Sequence, residues 1–174
     1  MQPFFMKFME YEAPSGTLIT EVDVNEVDNR IAIKTNDANG YNARIVVIDP
    51  VTGIETNIAL DNVEGAVGGI DFSINGTKVL YTRDVTGFEN ENYRQLDSRI
   101  FVYELGSELV EEIITGKPAG TNDLDVKFSP NEGAIIYMNT SNDGLSQKNI
   151  YKVQLDESEN REMLFTDAFM PDWE

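Results

Sequence analysis

Apolar residues in this chain recur at every second position, in short runs, and not at the three-to-four spacing of a helix. Arg30-Ile31-Ala32-Ile33-Lys34, Lys78-Val79-Leu80-Tyr81-Thr82 and Ala134-Ile135-Ile136-Tyr137-Met138 are β-rich. So are Arg44-Ile45-Val46-Val47-Ile48, Arg99-Ile100-Phe101-Val102-Tyr103 and Asn149-Ile150-Tyr151-Lys152-Val153. Clusters of Asn, Asp, Gly and Ser bound each run, which is the pattern of strands joined by turns. Asn39-Gly40, Asn75-Gly76, Asp143-Gly144 and Pro50-Val51-Thr52-Gly53 supply the turn chemistry. No stretch of about ten residues reads as a capped amphipathic helix. Leu109-Val110-Glu111-Glu112-Ile113-Ile114 comes nearest, but its place in the pattern assigns it to a strand.

The strands fall into groups of four. The first group spans about 19–25, 29–36, 43–49 and 54–60. The second spans about 69–73, 77–84, 98–105 and 108–115, and the third about 124–129, 133–140, 148–155 and 161–165. A phrase repeats with the groups. Asp71-Phe72-Ser73-Ile74-Asn75-Gly76-Thr77-Lys78 is answered by Lys127-Phe128-Ser129-Pro130-Asn131-Glu132-Gly133-Ala134 and, more loosely, by Asp23-Val24-Asn25-Glu26-Val27-Asp28. Pro171-Asp172-Trp173-Glu174 begins it a fourth time. Val24, Phe72, Phe128 and Trp173 are separated by 48, 56 and 45 residues. A four-stranded unit at that period is a propeller blade. A twisted sheet of four strands buries both faces only by stacking on its neighbours, so the repeated aromatics are expected between blades. The fold class expected is all-β, with about three blades of four antiparallel strands plus an extra terminal strand. The blades run from about 19 to 61, 66 to 115 and 120 to 166, with the terminal strand at 169–174. Residues 1–18 form an N-terminal segment or the remnant strand of a preceding blade.

Phe72-Ser73-Ile74-Asn75-Gly76 and Phe128-Ser129-Pro130-Asn131-Glu132 resemble the Ser-Pro-Asp-Gly turn of the TolB-like, WD40-like propeller repeat. Ile100-Phe101-Val102-Tyr103 and Ile150-Tyr151-Lys152-Val153 resemble that repeat's third strand. The resemblance covers about residues 19 to 174, and in the first unit Asn25-Glu26-Val27-Asp28 replaces the turn. It implies a periplasmic or cell-surface location. It also implies either a binding propeller or a propeller attached to a peptidase or a sugar lyase. Closed propellers have about four to eight blades. Three readings follow: part of a longer propeller, a ring completed by a second copy, or an open stack.

Composition narrows the function. A hydrophobic content of 41% supports a packed core. Asp and Glu number 31 against 13 Lys and Arg, a formal charge of −18, which repels nucleic acid and anionic lipid and aids solubility. Cysteine and histidine are both absent. A Ser-His-Asp triad, a cysteine nucleophile and the common zinc sites therefore cannot be assembled from this chain. No apolar run reaches the roughly 20 residues of a membrane span. The apolar start Met1-Gln2-Pro3-Phe4-Phe5-Met6 lacks a basic leader and a cleavage site, and is not read as a signal peptide.

The candidate surface lies on the loops between second and third strands, at Asp37–Asn42, Val85–Asp97 and Ser141–Gln147. The middle loop is the longest, and long loops on rigid scaffolds carry function more often than tight turns. Phe88, Tyr93 and Arg94 in it, with Tyr41 in the first loop, pair aromatic rings with a guanidinium and are the expected binding residues. Asp37-Ala38-Asn39-Gly40 and Asn142-Asp143-Gly144 lack the ligand series of a calcium loop and are expected to be turns. Asp123-Leu124-Asp125 and Asp156-Glu157-Ser158-Glu159 are expected to be solvated turns. No cofactor is expected. The function expected is non-catalytic binding of a protein or glycan. The alternatives are an accessory propeller of a hydrolase or lyase, and a purely structural module that oligomerises.

Overall fold

Alternation of side chains on strands of four to eight residues organises the described residues into sheets. A computed structural model describes residues 10–40, 42–58, 66–86, 97–143, 145–156 and 160–173, with no helix among them. Blade 1 contains β1 (Thr17–Val24), β2 (Ile31–Asp37), β3 (Arg44–Ile48) and β4 (Glu55–Ile58). Blade 2 contains β5 (Val67–Phe72), β6 (Lys78–Asp84), β7 (Ser98–Glu104) and β8 (Leu109–Ile113). Blade 3 contains β9 (Thr121–Phe128), β10 (Ala134–Ser141), β11 (Asn149–Gln154) and β12 (Arg161–Phe165). Within each blade every strand pairs antiparallel with the next, and the first strands β1, β5 and β9 lie side by side along a common axis.

The repeated phrase is a turn held by its own side chains. Ser73 Oγ accepts the N–H of Lys78 (2.9 Å), and Asn75 Oδ1 accepts that of Thr77 (3.0 Å). Ser129 and Asn131 repeat this with Ala134 and Gly133. In blade 1, Asn25 takes the role, accepting from Val27 and Asp28, while its amide donates across the seam to the Ser73 carbonyl (3.2 Å).

Alternation gives each central strand two destinations. In blade 2, Val79, Tyr81, Phe101 and Tyr103 meet Ala32, Ile45, Val47 and Ile58 of blade 1. Their neighbours Leu80 and Ile100 point the other way and meet Val126, Ile135, Tyr137 and Val153 of blade 3. The face of blade 1 turned away from blade 2 holds Ile33, Val46 and Ile48, covered in part by Tyr11. On the same sheet, Ile19, Val22 and Val24 of β1 are each about half exposed.

Carboxylates also latch one inner strand to the next. Glu21 accepts the N–H groups of Gly69 (3.2 Å) and Ile70 (2.7 Å), and Asp23 accepts that of Phe72 (2.8 Å). One blade on, Asp71 accepts the N–H of Phe128 (2.7 Å). The equivalent position in blade 3 is Lys127, which cannot accept and instead donates back to Asp71 (3.1 Å) and the Ile70 carbonyl (3.2 Å). Burial pushes the Asp71 carboxyl above the usual carboxylate range, an effect that Lys127 and the Phe128 N–H only partly offset. The strands pass closely. Gly69 sits at φ +62 in a bulge, and a Cβ there would lie 2.8 Å from the Val126 nitrogen.

One expectation is corrected. Asp123-Leu124-Asp125 is not a solvated turn: it lies inside β9, and Asp123 is 1% exposed, because its carboxylate has internal donors. Residues 169–173, expected to add an inner strand, pair with no sheet among the described residues. Trp173 nevertheless shares a small cavity at the axis with Val24, Phe72 and Phe128, the residues that the repeat aligns with it. Residues 10–16 form no strand either.

Candidate functional site

The long loop of blade 2 leaves and rejoins its sheet at one buried carboxylate. Asp84, 1% exposed, accepts the Thr86 N–H (3.0 Å), the Thr86 hydroxyl (2.9 Å) and the Asp97 N–H (2.9 Å). Both feet of the loop are thereby pinned, and both line a cavity of about 610 Å³. The cavity opens between blades 2 and 3. Its other walls are Arg99 and Glu112 from adjacent strands, the β8–β9 connection Thr115-Gly116-Lys117, and Asp123 and Asn142 from blade 3. The volume falls in the range of small-molecule sites, about 300–1,000 Å³.

Ion pairs set the rim. Arg99 reaches Asp97 (2.8 Å) and Glu112 (3.2 Å), and Lys117 reaches Asp97 (2.7 Å) and the Thr121 carbonyl (2.6 Å). The Arg99 hydrogen bond, with Lys117 beside it, holds the Asp97 carboxyl down to about 2. The floor differs. Asp123 accepts from the Thr115 hydroxyl and from the Asn139 amide (2.8 Å), and burial pushes its carboxyl above the usual range despite those bonds. The Ser98 N–H crosses the seam to Asn122 Oδ1 (2.9 Å). Behind them Tyr137 stacks on Tyr151 at 6.1 Å, and the Arg161 guanidinium lies 3.7 Å from the Tyr151 ring centroid.

Tyr41, Phe88, Tyr93 and Arg94 lie outside the described residues, so the structure speaks to the feet of the loop and not its tip. Two of the three expected loops do converge, since Thr86 and Asp97 share the cavity with Asn142. The groups that sequence reasoning passed over are Arg99, Glu112, Thr115, Lys117 and Asp123. One signal was readable: Asp97 and Arg99 are two apart in sequence where the long loop runs into β7. The Asp37 and Asn142–Asp143 segments are turns, with Asp37 accepting from Asn39 and Asp143 from Leu145 and Ser146. Among the described residues no group of three or more Asp or Glu is arranged to hold a metal ion.

No protein-family model and no curated protein sequence matches the chain. Solved structures do. TolB from Acinetobacter baumannii superposes with a TM-score of 0.57 at 18% identity, over 84% of this chain and 32% of its own. Dipeptidyl peptidase 4 from Porphyromonas gingivalis gives 0.62 at 10% identity, over 92% and 26%. The β-propeller domain of the Trilobed protease from Pyrococcus furiosus, described as an open velcro topology, gives 0.57 at 12% identity, over 88% and 45%. The chain thus spans less than half the length of each of these proteins. The fold is a TolB-like β-propeller segment of three blades.

Proposed function

We propose that this segment is a non-catalytic binding module of the cell envelope, with its ligand surface at the cavity between blades 2 and 3. The carrying observation is the pinned loop. Asp84 fixes both feet of the long β6–β7 connection beside a recess lined with donors and acceptors. That is the arrangement by which a rigid scaffold presents a variable loop. Location in the envelope, and protein or glycan as ligand class, rest on the likeness to TolB. The test is calorimetric titration of the chain against a panel of envelope proteins and glycans, with Lys117→Gln as control. Binding that weakens in Lys117→Gln supports the proposal, and silence across the whole panel sinks it.

A second reading has its own support. Prolyl endopeptidase, dipeptidyl peptidase 4 and acylaminoacyl peptidase contain regions of the same fold, of which this chain covers 21%, 26% and 25% of the full length. On that reading the segment is an accessory propeller of a hydrolase. Ring completion, by further blades of one polypeptide or by a second copy, would cover Ile19, Val22 and Val24. The mass and oligomeric state of the native protein separate these readings: a single long polypeptide with a catalytic domain favours the accessory propeller, and a dimer of this chain favours the shared ring.

A further inference from the structure

One cation of blade 2 is stacked on a ring and answered by no acid. Arg83 of β6 holds its guanidinium carbon 4.5 Å from the centre of the Phe101 ring of β7. Alternation along β6 puts it on the face of Val79 and Tyr81, which is turned toward blade 1. Its Nε is buried and has no hydrogen-bond partner among the described residues, while the residue as a whole is only partly buried. The guanidinium is thus seated on the ring with Nε inward, and its two terminal nitrogens carry the remaining exposure.

The neighbouring charges sharpen the contrast. Arg30, Arg99, Lys117 and Lys127 each pair with a carboxylate at 3.1 Å or less. Arg161, also stacked on a ring, sits in the field of Asp123. Among the described residues no carboxylate forms an ion pair with Arg83, in a chain where acids outnumber bases 31 to 13. Its direct cross-strand partner is a second guanidinium, Arg99. Like charges directly opposite destabilise a sheet, and Arg99 has Asp97 and Glu112 to offset its own charge. A guanidinium held on an aromatic ring is pre-organised for a planar anion, because its N–H fork matches the two oxygens of a carboxylate. The formal charge of −18 favours a singly charged anion over a dianion. We infer that Arg83 and Phe101 form a carboxylate-binding site on the face of blade 2 turned toward blade 1, separate from the cavity between blades 2 and 3 and independent of the reading given to it. The terminal nitrogens of Arg83 donate to the two carboxylate oxygens, and the Phe101 ring holds the fork in place. Two sources carry such a group, the C-terminus of a peptide and a uronic acid, and the chemistry at Arg83 is the same for both.

The test is a titration of the isotope-labelled chain at neutral pH, followed at the Arg83 Nε–H signal, which is assigned by through-bond correlation to the Arg83 backbone amide. The probes are N-acetylalanine and its amide, glucuronate and methyl glucoside, and inorganic phosphate. An acid should move the signal, its neutral analogue should not, and about 0.5 M salt should weaken the response. Arg83→Lys keeps the charge and loses the fork, and should bind about tenfold more weakly, read on the backbone amides of β6 and β7. A response to N-acetylalanine alone assigns the site to peptide termini, a response to glucuronate alone assigns it to acidic sugars, and either supports it. Equal responses to acid and neutral analogue, a stronger response to phosphate than to both acids, or no response to either acid overturns it. Unchanged affinity in Arg83→Lys also overturns it, and if that variant does not fold, the comparison of acid with neutral analogue on the unaltered chain decides.

Discussion

The two seams of this molecule are built from the same repeat and filled differently. Between blades 1 and 2, Ala32, Ile45, Val47 and Ile58 meet Val79, Tyr81, Phe101 and Tyr103 in a continuous apolar layer. Between blades 2 and 3 the apolar layer is narrower, and Asn122, Asp123, Thr115 and Asn139 occupy the side nearest the loops. The first seam spends its buried area on cohesion. The second trades part of that cohesion for hydrogen-bonding groups beside an open cavity. Stability and recognition are therefore separable here, and substitutions on the two sides should behave differently.

The largest effect is expected at the first seam. Tyr81→Ala empties a fully buried site and should cost about 3–5 kcal/mol in chemical denaturation. A loss under about 1 kcal/mol would show that the apolar layer is not what holds blades 1 and 2. Gly69→Ala comes next. It forces a Cβ toward the Val126 backbone at positive φ and should cost about 2–3 kcal/mol. Asp71→Ala leaves the Phe128 N–H without its acceptor and Lys127 with the Ile70 carbonyl alone, and should cost about 1–2 kcal/mol, reduced by the partial exposure of the lysine.

Groups within the second seam should also titrate in opposite senses. Asp123 and Asp71 hold their protons more tightly folded than unfolded. Their contribution favours the fold below the ordinary value of 3.8 and is lost as pH rises through their folded pKa. Asp97, held at about 2, contributes above 3.8 and loses that contribution as pH falls toward 2. Asp123→Asn should therefore flatten the fall in stability above pH 3.8, and Asp97→Asn the loss below it; melting curves across pH 2 to 7 read both. The smallest effect belongs to the rim. Arg99→Gln removes two part-exposed ion pairs and should change stability by about 0.5 kcal/mol or less. A larger change would make the rim part of the scaffold.

Much of this architecture was legible in the chain because period-two alternation is a local signal. The expected strand over 161–165 matches β12, and most others match to within two or three residues at each end. The blade spacing followed from Phe72 and Phe128, whose turn residues are chemically explicit. The cavity was not legible, for a physical reason. Asp123, Thr115 and Lys117 acquire their meaning from Asp97 and Arg99 on another blade, and sequence shows no such meeting. Asp123-Leu124-Asp125 looks like a turn in isolation. Only the Thr115 and Asn139 donors make a buried carboxylate there tolerable. The inner strand at 169–174 is expected from Asp172 and Trp173 to join a blade other than these three, and residues 169–173 accordingly pair with no sheet among the described residues.

Lys127 carries a consequence for how such a chain could be rearranged. Where blades 1 and 2 place Asp23 and Asp71, blade 3 places a cation that answers the acid before it. The three units are thus not interchangeable modules. Tandem copies of blade 3 would set lysine beside lysine at the axis, and tandem copies of blade 2 would bring buried aspartates together with no cation between them. The order of the blades is written in the sign of one side chain, and a shuffled array would be expected to fail at its axis before its outer strands were ever tested.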